Sequence, residues 1–179
     1  MPYKIETNLP PWLMLNLRDQ FDLERFVETG TACGDTAALA ALAFSRVDTI
    51  EISRGQFERA DKLLKDMLNV KRWLGDSQAV LRALDKSVPT LFWLDAHWVG
   101  GSRELMGDVE CPLLGELEAI GGLRNKHVVL IDDANLFKTP PSPAHDPKQW
   151  PTFAHICKVA SNWNCVLFEA ENIIILSPS

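Results

Sequence analysis

FVETGTACGDTAALAALAFSRVDTIEIS, residues 26–53, decides the fold. Phe26-Val27 lead a strand into a turn of small residues, Thr29 to Gly34, where the backbone can approach a ligand closely. Asp35 then opens an alanine-rich helix expected over 35–45, whose short side chains suit both helix formation and close packing on a sheet. Val47 to Ile52 form a β-branched strand with Glu51 near its end. Glu51 follows Gly30 by about 20 residues, the interval that brings a carboxylate to a ribose hydroxyl in a βαβ nucleotide site. The stretch reads as half of a nucleoside-binding site.

The dinucleotide fingerprint fails here. With its first glycine on Gly30, the second falls on Ala32 and the third on Asp35. Glu28 and Asp35 would repel a pyrophosphate that a helix N-terminus alone would attract. A ligand with a cationic portion suits the turn better. The pattern Glu28-x-Gly30-x-Ala32-x-Gly34 resembles the first motif of the class I S-adenosylmethionine-dependent methyltransferases. The cofactor of that family carries an amino group and a sulfonium and no phosphate.

Outward from this stretch, the rest of the chain reads as alternating helices and strands. Phe57, Ala60, Leu64 and Met67/Leu68 make one apolar stripe over 54–68, a crossover helix. Val70 to Leu74 is a strand ending in Gly75-Asp76-Ser77, ahead of a helix over 78–86. Thr90 to Leu94 is a continuous apolar run suited to a strand buried on both faces, with Asp95-Ala96-His97-Trp98 at its carboxyl end. A polar, glycine-rich loop spans 99–111, and Pro112 starts a helix with Leu113, Leu114, Leu117 and Ile120 inward. His127 to Ile131 is another buried strand, followed by Asp132-Asp133-Ala134-Asn135. The proline-rich stretch 136–151 reads as a surface loop with the length of a lid. A helix over 152–161 precedes two apolar runs, Cys165–Phe168 and Ile173–Leu176, which read as a closing antiparallel hairpin.

The expectation is therefore a single α/β domain over 1–179, with residues 1–22 as an N-terminal arm. The resemblance, which extends from Phe26 to Ser177, implies a Rossmann-like class I methyltransferase fold. That fold has a seven-stranded, mostly parallel sheet, helices on both faces and a C-terminal antiparallel hairpin. Pro10-Pro11 with Trp12, Leu13 and Leu15 read as an apolar arm covering the sheet or a partner subunit, which leaves a homodimer open.

Composition narrows the partners. Hydrophobic residues at 46% and charged residues at 23% indicate neither disorder nor a membrane span. A net charge of −6 argues against nucleic acid as a bulk electrostatic partner. Four cysteines without metal-finger spacing read as reduced thiols, and the first residues carry no export signature, so the expected location is cytoplasmic.

The resemblance implies S-adenosylmethionine held by Glu28, Thr29, Gly30, Thr31 and Gly34 of the turn, Glu51 and Ile52 of the second strand, Asp76 and Ser77 of the third loop, and Asp95. Asp76 or Ser77 also reads as a helix cap. The segments Leu94-Asp95-Ala96-His97-Trp98 and Ile131-Asp132-Asp133 are similar to those of the cation-dependent small-molecule O-methyltransferases. That likeness implies Mg²⁺ or another divalent cation on Asp95, Asp132 and Asp133, with Asn135 as a substitute ligand. An extra alanine between Asp95 and His97 departs from that family, and its basic residue near the reacting oxygen is not identifiable. Without a metal, Asp95 contacts the methionine portion or caps a turn, and Asp132 and Asp133 bond to loop amides. His97, at a strand end, is the candidate general base beside Asp95; a packed, hydrogen-bonded histidine is the alternative. His145 reaches a substrate only through the proline loop, and His127 and His155 read as structural. Trp98 and Trp150 are expected to wall the pocket and Trp93 to lie in the core. The activity implied is methyl transfer to an oxygen or nitrogen of a small molecule. A nicotinamide-dependent oxidoreductase and a non-catalytic nucleoside-binding protein are the rival readings.

Overall fold

The computed structural model describes residues 7–98, 100, 106–139 and 145–179. Their order is α1 (Pro11–Phe21), β1 (Arg25–Thr29), α2 (Asp35–Ala41), β2 (Arg46–Glu51), α3 (Arg54–Leu64), β3 (Val70–Leu74) and α4 (Ser77–Ala83). There follow β4 (Thr90–Leu94), α5 (Leu113–Ile120), β5 (Val128–Ile131), α6 (Phe153–Trp163), β6 (Val166–Ala170) and β7 (Ile173–Ser177). Most expected elements form within a few residues of their expected bounds. The helix over 35–45 is shorter because the Asn69 side-chain amide donates to the Ala41 and Phe44 carbonyls, at 2.8 and 2.9 Å. That amide satisfies carbonyls that helix-end geometry leaves without partners.

The strands lie in the order β3-β2-β1-β4-β5-β7-β6. All neighbours from β3 to β5 are parallel; β7 is antiparallel to both β5 and β6. The chain order reverses between β1 and β4, and open α/β sheets bind ligands outside the strand carboxyl ends at such a point. Alternation along the strands divides the core in two. Phe26, Val47, Leu91, Trp93 and Leu130 face α1, α2 and α3, whereas Val27, Ile50, Phe92, Leu94 and Ile131 face α4, α5 and α6. Both faces are therefore covered, as a parallel sheet requires.

The segment read as an arm is helical from Pro11 and covers the first of these faces through Leu9, Leu13, Met14 and Leu17. Trp12 and Leu15, expected on the apolar side, point outward at 51% and 37% exposure. Leu114, expected inward, is likewise exposed at 41% on α5. No helix among the described residues is long and apolar enough to cross a membrane.

At the opposite edge of the sheet from the β1 turn lies a fully buried ion pair. The Arg25 guanidinium meets Asp48 Oδ2 through Nε and Nη2 at 2.8 and 2.7 Å, with side-chain exposures of 1% and 0%. Trp73 Nε1 donates to the other Asp48 oxygen at 2.8 Å, and Arg25 Nη1 reaches the Asp85 carbonyl. The pair staples the β1, β2 and β3 ends to the segment after α4. Asp48→Asn leaves the buried guanidinium without a counter-charge and is expected to cost about 3–5 kcal/mol in urea unfolding. Exchanging both partners, Arg25→Met with Asp48→Leu, is expected to cost less than either single change. A single-variant loss below about 1 kcal/mol contradicts this.

Candidate cofactor and acceptor site

The carboxyl ends of β1, β2, β4 and β5 open into a cavity of about 540 Å³. Its shape begins with Gly30. That residue has φ +83°, and a Cβ there would sit 2.7 Å from the Asp95 carbonyl oxygen and 2.9 Å from its carbon. Only a residue without a side chain lets the β1 turn lie this close to the β4 end. Gly30 N–H donates to the Ile50 carbonyl, which ties the turn to β2 as well.

Of the turn residues expected to touch a cofactor, Gly30 lines the cavity. Glu28, Thr29, Thr31 and Gly34 lie outside its lining. Strand pairing accounts for the first three. Glu28 sits opposite Thr49 on β2 and accepts from its hydroxyl, while Thr31 Oγ1 pairs with the same hydroxyl at 2.6 Å. Thr29 is completely buried on the other face of β1. At Gly34, φ is +88° and a Cβ would press on Leu64 of α3 at 3.0 Å, so this glycine serves helix packing. Glu51, Ile52, Asp76, Ser77 and Asp95 do line the cavity. Glu51 accepts from Ala32 N–H at 3.0 Å and Ser53 N–H at 2.8 Å, which fixes its carboxylate at the rim. Asp76 caps α4 through Ala79 N–H at 2.8 Å while facing the cavity, so capping and exposure to a ligand coexist.

Burial dominates the electrostatics. It pushes the Glu28 carboxyl up to about 8; Thr49 opposes the rise and the charge of Glu51 adds to it. Burial likewise raises Asp95 to about 8, with Asp132 adding to the rise, His97 opposing it, and Glu28 and Asp133 adding to it. A cation bound beside these carboxyls would favour their ionised forms and lower both values. The glycine cradle accommodates close backbone approach by a ligand.

His97 lies between two acids. Its Nε2 is 3.3 Å from Asp133 Oδ2 and its Nδ1 is 3.6 Å from Asp95 Oδ1. Burial lowers its basicity, but Asp133, Asp95 and Asp132 outweigh that and hold the imidazole above its ordinary value. The packing alternative also holds, since the ring meets Trp150 edge-on at 5.6 Å between centroids.

The expected metal ligands are not assembled as a set. Asp132 Oδ2 accepts from Asn8 Nδ2 at 3.0 Å, and its Oδ1 caps Asp133 N–H at 2.8 Å. Asp133 is turned to His97 and Asn172, while Asn135 N–H bonds to Asn172 Oδ1. Among the described residues, no group of three His, Cys, Asp or Glu side chains is placed to hold a metal ion. These donors do not fit a divalent cation.

Asn8 and Glu110 line the cavity and had no motif to announce them. Thr7 Oγ1 pairs with Thr36 Oγ1 at 2.7 Å, so the segment before α1 crosses the α2 N-terminus and brings Asn8 over the site. Glu110 joins the two long loops: its carboxylate receives Trp150 Nε1 at 2.8 Å, Asp146 N–H at 3.2 Å and His145 Nδ1 at 3.1 Å. Trp98 lines the cavity, whereas Trp150 and His145 stand behind the wall on Glu110. The lid expectations at residues 99, 101–105 and 140–144 lie outside the described residues. His127 Nδ1 accepts from Thr90 N–H, and His155 forms a capping box with Thr152.

The chain matches no protein-family profile and no curated protein. Solved structures do resemble it. The O-methyltransferase TomG from Streptomyces achromogenes, involved in tomaymycin synthesis and solved with S-adenosylmethionine, aligns over 94% of this chain and 79% of its own, with TM-score 0.59 and 17% identity. An rRNA methylase from Streptococcus thermophilus aligns over 97% and 99%, with TM-score 0.58 and 12% identity. The methyltransferase domain of bacterial CtHen1 aligns over 93% and 96%, with TM-score 0.55 and 12% identity. With the strand order, these likenesses establish the class I S-adenosylmethionine-dependent methyltransferase fold.

A raised Glu28 makes the folded state prefer the protonated carboxyl, so its contribution to stability falls as pH rises from the ordinary carboxylate value toward about 8. Glu28→Gln removes that titration. The variant is expected to gain roughly 1–3 kcal/mol over wild type at pH 8 in ligand-free thermal unfolding, with the difference shrinking toward pH 5. A difference independent of pH contradicts the assignment.

Proposed function

On the premise of a class I methyltransferase fold, we propose that this protein transfers a methyl group from S-adenosylmethionine to an oxygen or nitrogen of a small molecule. The observation that carries the reading is the pair of buried carboxyls, Glu28 and Asp95, flanking the Gly30 cradle. The failed dinucleotide fingerprint around Gly30 and the closing antiparallel hairpin support this cofactor over a nicotinamide dinucleotide. When bound, S-adenosylmethionine supplies an electrophilic methyl group on a sulfonium.

The chain's own residues divide the remaining work. Glu51 and Ile52 suit the ribose and one face of the base, and Asp76 and Ser77 suit the exocyclic amine. Gly30 and Asp95 suit the methionine portion, with Glu28, Thr29, Thr31 and Gly34 building the turn from behind. His97 in its neutral form takes the acceptor proton at Nδ1, because Asp133 anchors Nε2 and leaves Nδ1 toward Asp95 and the cavity. Direct displacement needs no covalent enzyme intermediate, so alignment of the acceptor supplies much of the rate. The net charge of −6 supports a small acceptor over nucleic acid. Loops 98–111 and 136–151 and the segment at Asn8 select it, within one domain that functions in the cytoplasm. The exposed Trp12 and Leu15 suit a second copy of the chain.

Two measurements test the reading. S-adenosylmethionine and S-adenosylhomocysteine are expected to bind in calorimetry, and NAD is not. Because a bound cation lowers the Glu28 and Asp95 values from about 8, binding at pH 7 is expected to release protons and affinity to rise with pH before levelling above about 8. Titrations in buffers of different ionisation enthalpy read that release. Absence of S-adenosylhomocysteine binding overturns the proposal. In a metabolite turnover screen, His97→Gln is expected to lower kcat by about 10²–10⁴-fold while cofactor affinity stays within about twofold. Unchanged kcat removes His97 as the base.

A further inference from the structure

The β6–β7 hairpin turns over two residues, Glu171 and Asn172, both left-handed at φ +53° and +63°. Two successive left-handed residues are the hairpin geometry in which asparagine and glycine are favoured, which by itself explains an asparagine at this position. It does not explain where the side chain goes. Asn172 Oδ1 accepts from Asn135 N–H at 3.0 Å, and Asn172 Nδ2 donates to Asp133 Oδ1 at 3.2 Å. Its backbone carbonyl also accepts from Ala134 N–H at 2.8 Å. The amide orientation follows from its partners, since a backbone N–H on one side and a carboxylate on the other admit only this assignment. Three successive residues after β5 are thus held by one turn residue of another pair of strands.

Asp133 needs that hold. It is itself left-handed, at φ +53° and ψ +49°, and its second oxygen lies 3.3 Å from His97 Nε2. Lys138 pairs with Glu169 of β6, fastening the same loop to the hairpin at a second point. We propose that Asn172 is a positioning residue for the acceptor site, acting through Asp133 to fix the orientation of His97. The hairpin that closes the sheet then also builds the site. The functional consequence rests on the methyltransferase reading, whereas the structural relay does not.

The test uses the full chain with ¹⁵N-labelled histidine. The His97 ring signals are assigned by their loss in His97→Gln. In Asn172→Gly, glycine keeps the left-handed turn and the carbonyl bond to Ala134 but removes both side-chain bonds. The Nε2–H proton of His97 is expected to exchange about tenfold faster or more than in wild type, reflecting loss of a charge-assisted hydrogen bond. The melting temperature and the His127 ring signals are expected to stay near wild type. Asn172→Asp, which retains an acceptor for Asn135 N–H and sets a second carboxylate against Asp133, is expected to disturb His97 at least as much. Asp133→Asn supplies a third perturbation should the turn variants unfold. A folded Asn172 variant whose His97 signals and exchange match wild type overturns the proposal, as does an unaltered His97 in Asp133→Asn. S-adenosylhomocysteine binding to wild type is measured in parallel. Its absence sinks the methyltransferase reading alone, whatever His97 does.

Discussion

The close approach of Gly30 to the Asp95 backbone is the constraint on which the site depends. With a would-be Cβ only 2.7 Å from a carbonyl oxygen, β1 and β4 cannot diverge until both have passed the sheet edge. This keeps the turn after β1 and the acids after β4 on one wall of the cavity. It also explains why a buried carboxyl at Glu28 is tolerated. The strand end must stay tight, so Glu28 has no route to solvent and exchanges its hydration for the Thr49 hydroxyl.

The same tightness produces the charge pattern. Glu28 and Asp95 both sit in a region where ionisation is resisted; Glu51 adds to the rise at Glu28, and Asp132 and Glu28 add to it at Asp95. An isolated protein would do better with neutral side chains there, by the general rule that buried charge without a partner is costly. Retaining two acids trades stability in the empty site for attraction toward a cation. Arg25–Asp48, at the other edge of the sheet, makes the contrast. There the buried acid has its cation built in, as well as a tryptophan N–H, and the pair serves the fold.

Much of this was legible in the sequence because it rests on local patterns. The strand-turn-helix around Gly30, the apolar run 90–94 with acids after it, and the two apolar runs closing the chain each carry a period or a composition. What was not legible depends on residues far apart in the chain meeting at one place. Asn8 reaches Asp132 across 124 residues, and Glu110 gathers Asp146, His145 and Trp150 from a loop some 35–40 residues on. The partners of the expected metal ligands were hidden for the same reason. Residue type and strand position brought three acids to one edge, but Asn8, His97 and Asn172 had already taken up Asp132 and Asp133. The buried pair of Arg25 and Asp48 gives no signal in sequence either, because residue type does not announce the burial of two opposite charges.

The likenesses to TomG and to an rRNA methylase at nearly equal TM-scores, 0.59 and 0.58, indicate how little the sheet itself says about the acceptor. In this chain a parallel sheet with a switch point between β1 and β4 supplies the crevice at its carboxyl edge. Selectivity must come from what is attached to that edge. In this chain three separate attachments converge on β4 and β5: the segment before α1 through Asn8, the loop at Glu110, and the hairpin through Asn172. Each adds polar contacts to its apolar packing: Asn8 to Asp132, the Glu110 carbonyl to Trp98 N–H, and Asn172 to Asp133 and to Asn135 N–H. Such anchors fix direction more tightly than they add stability, since a hydrogen bond is directional and its net worth is modest.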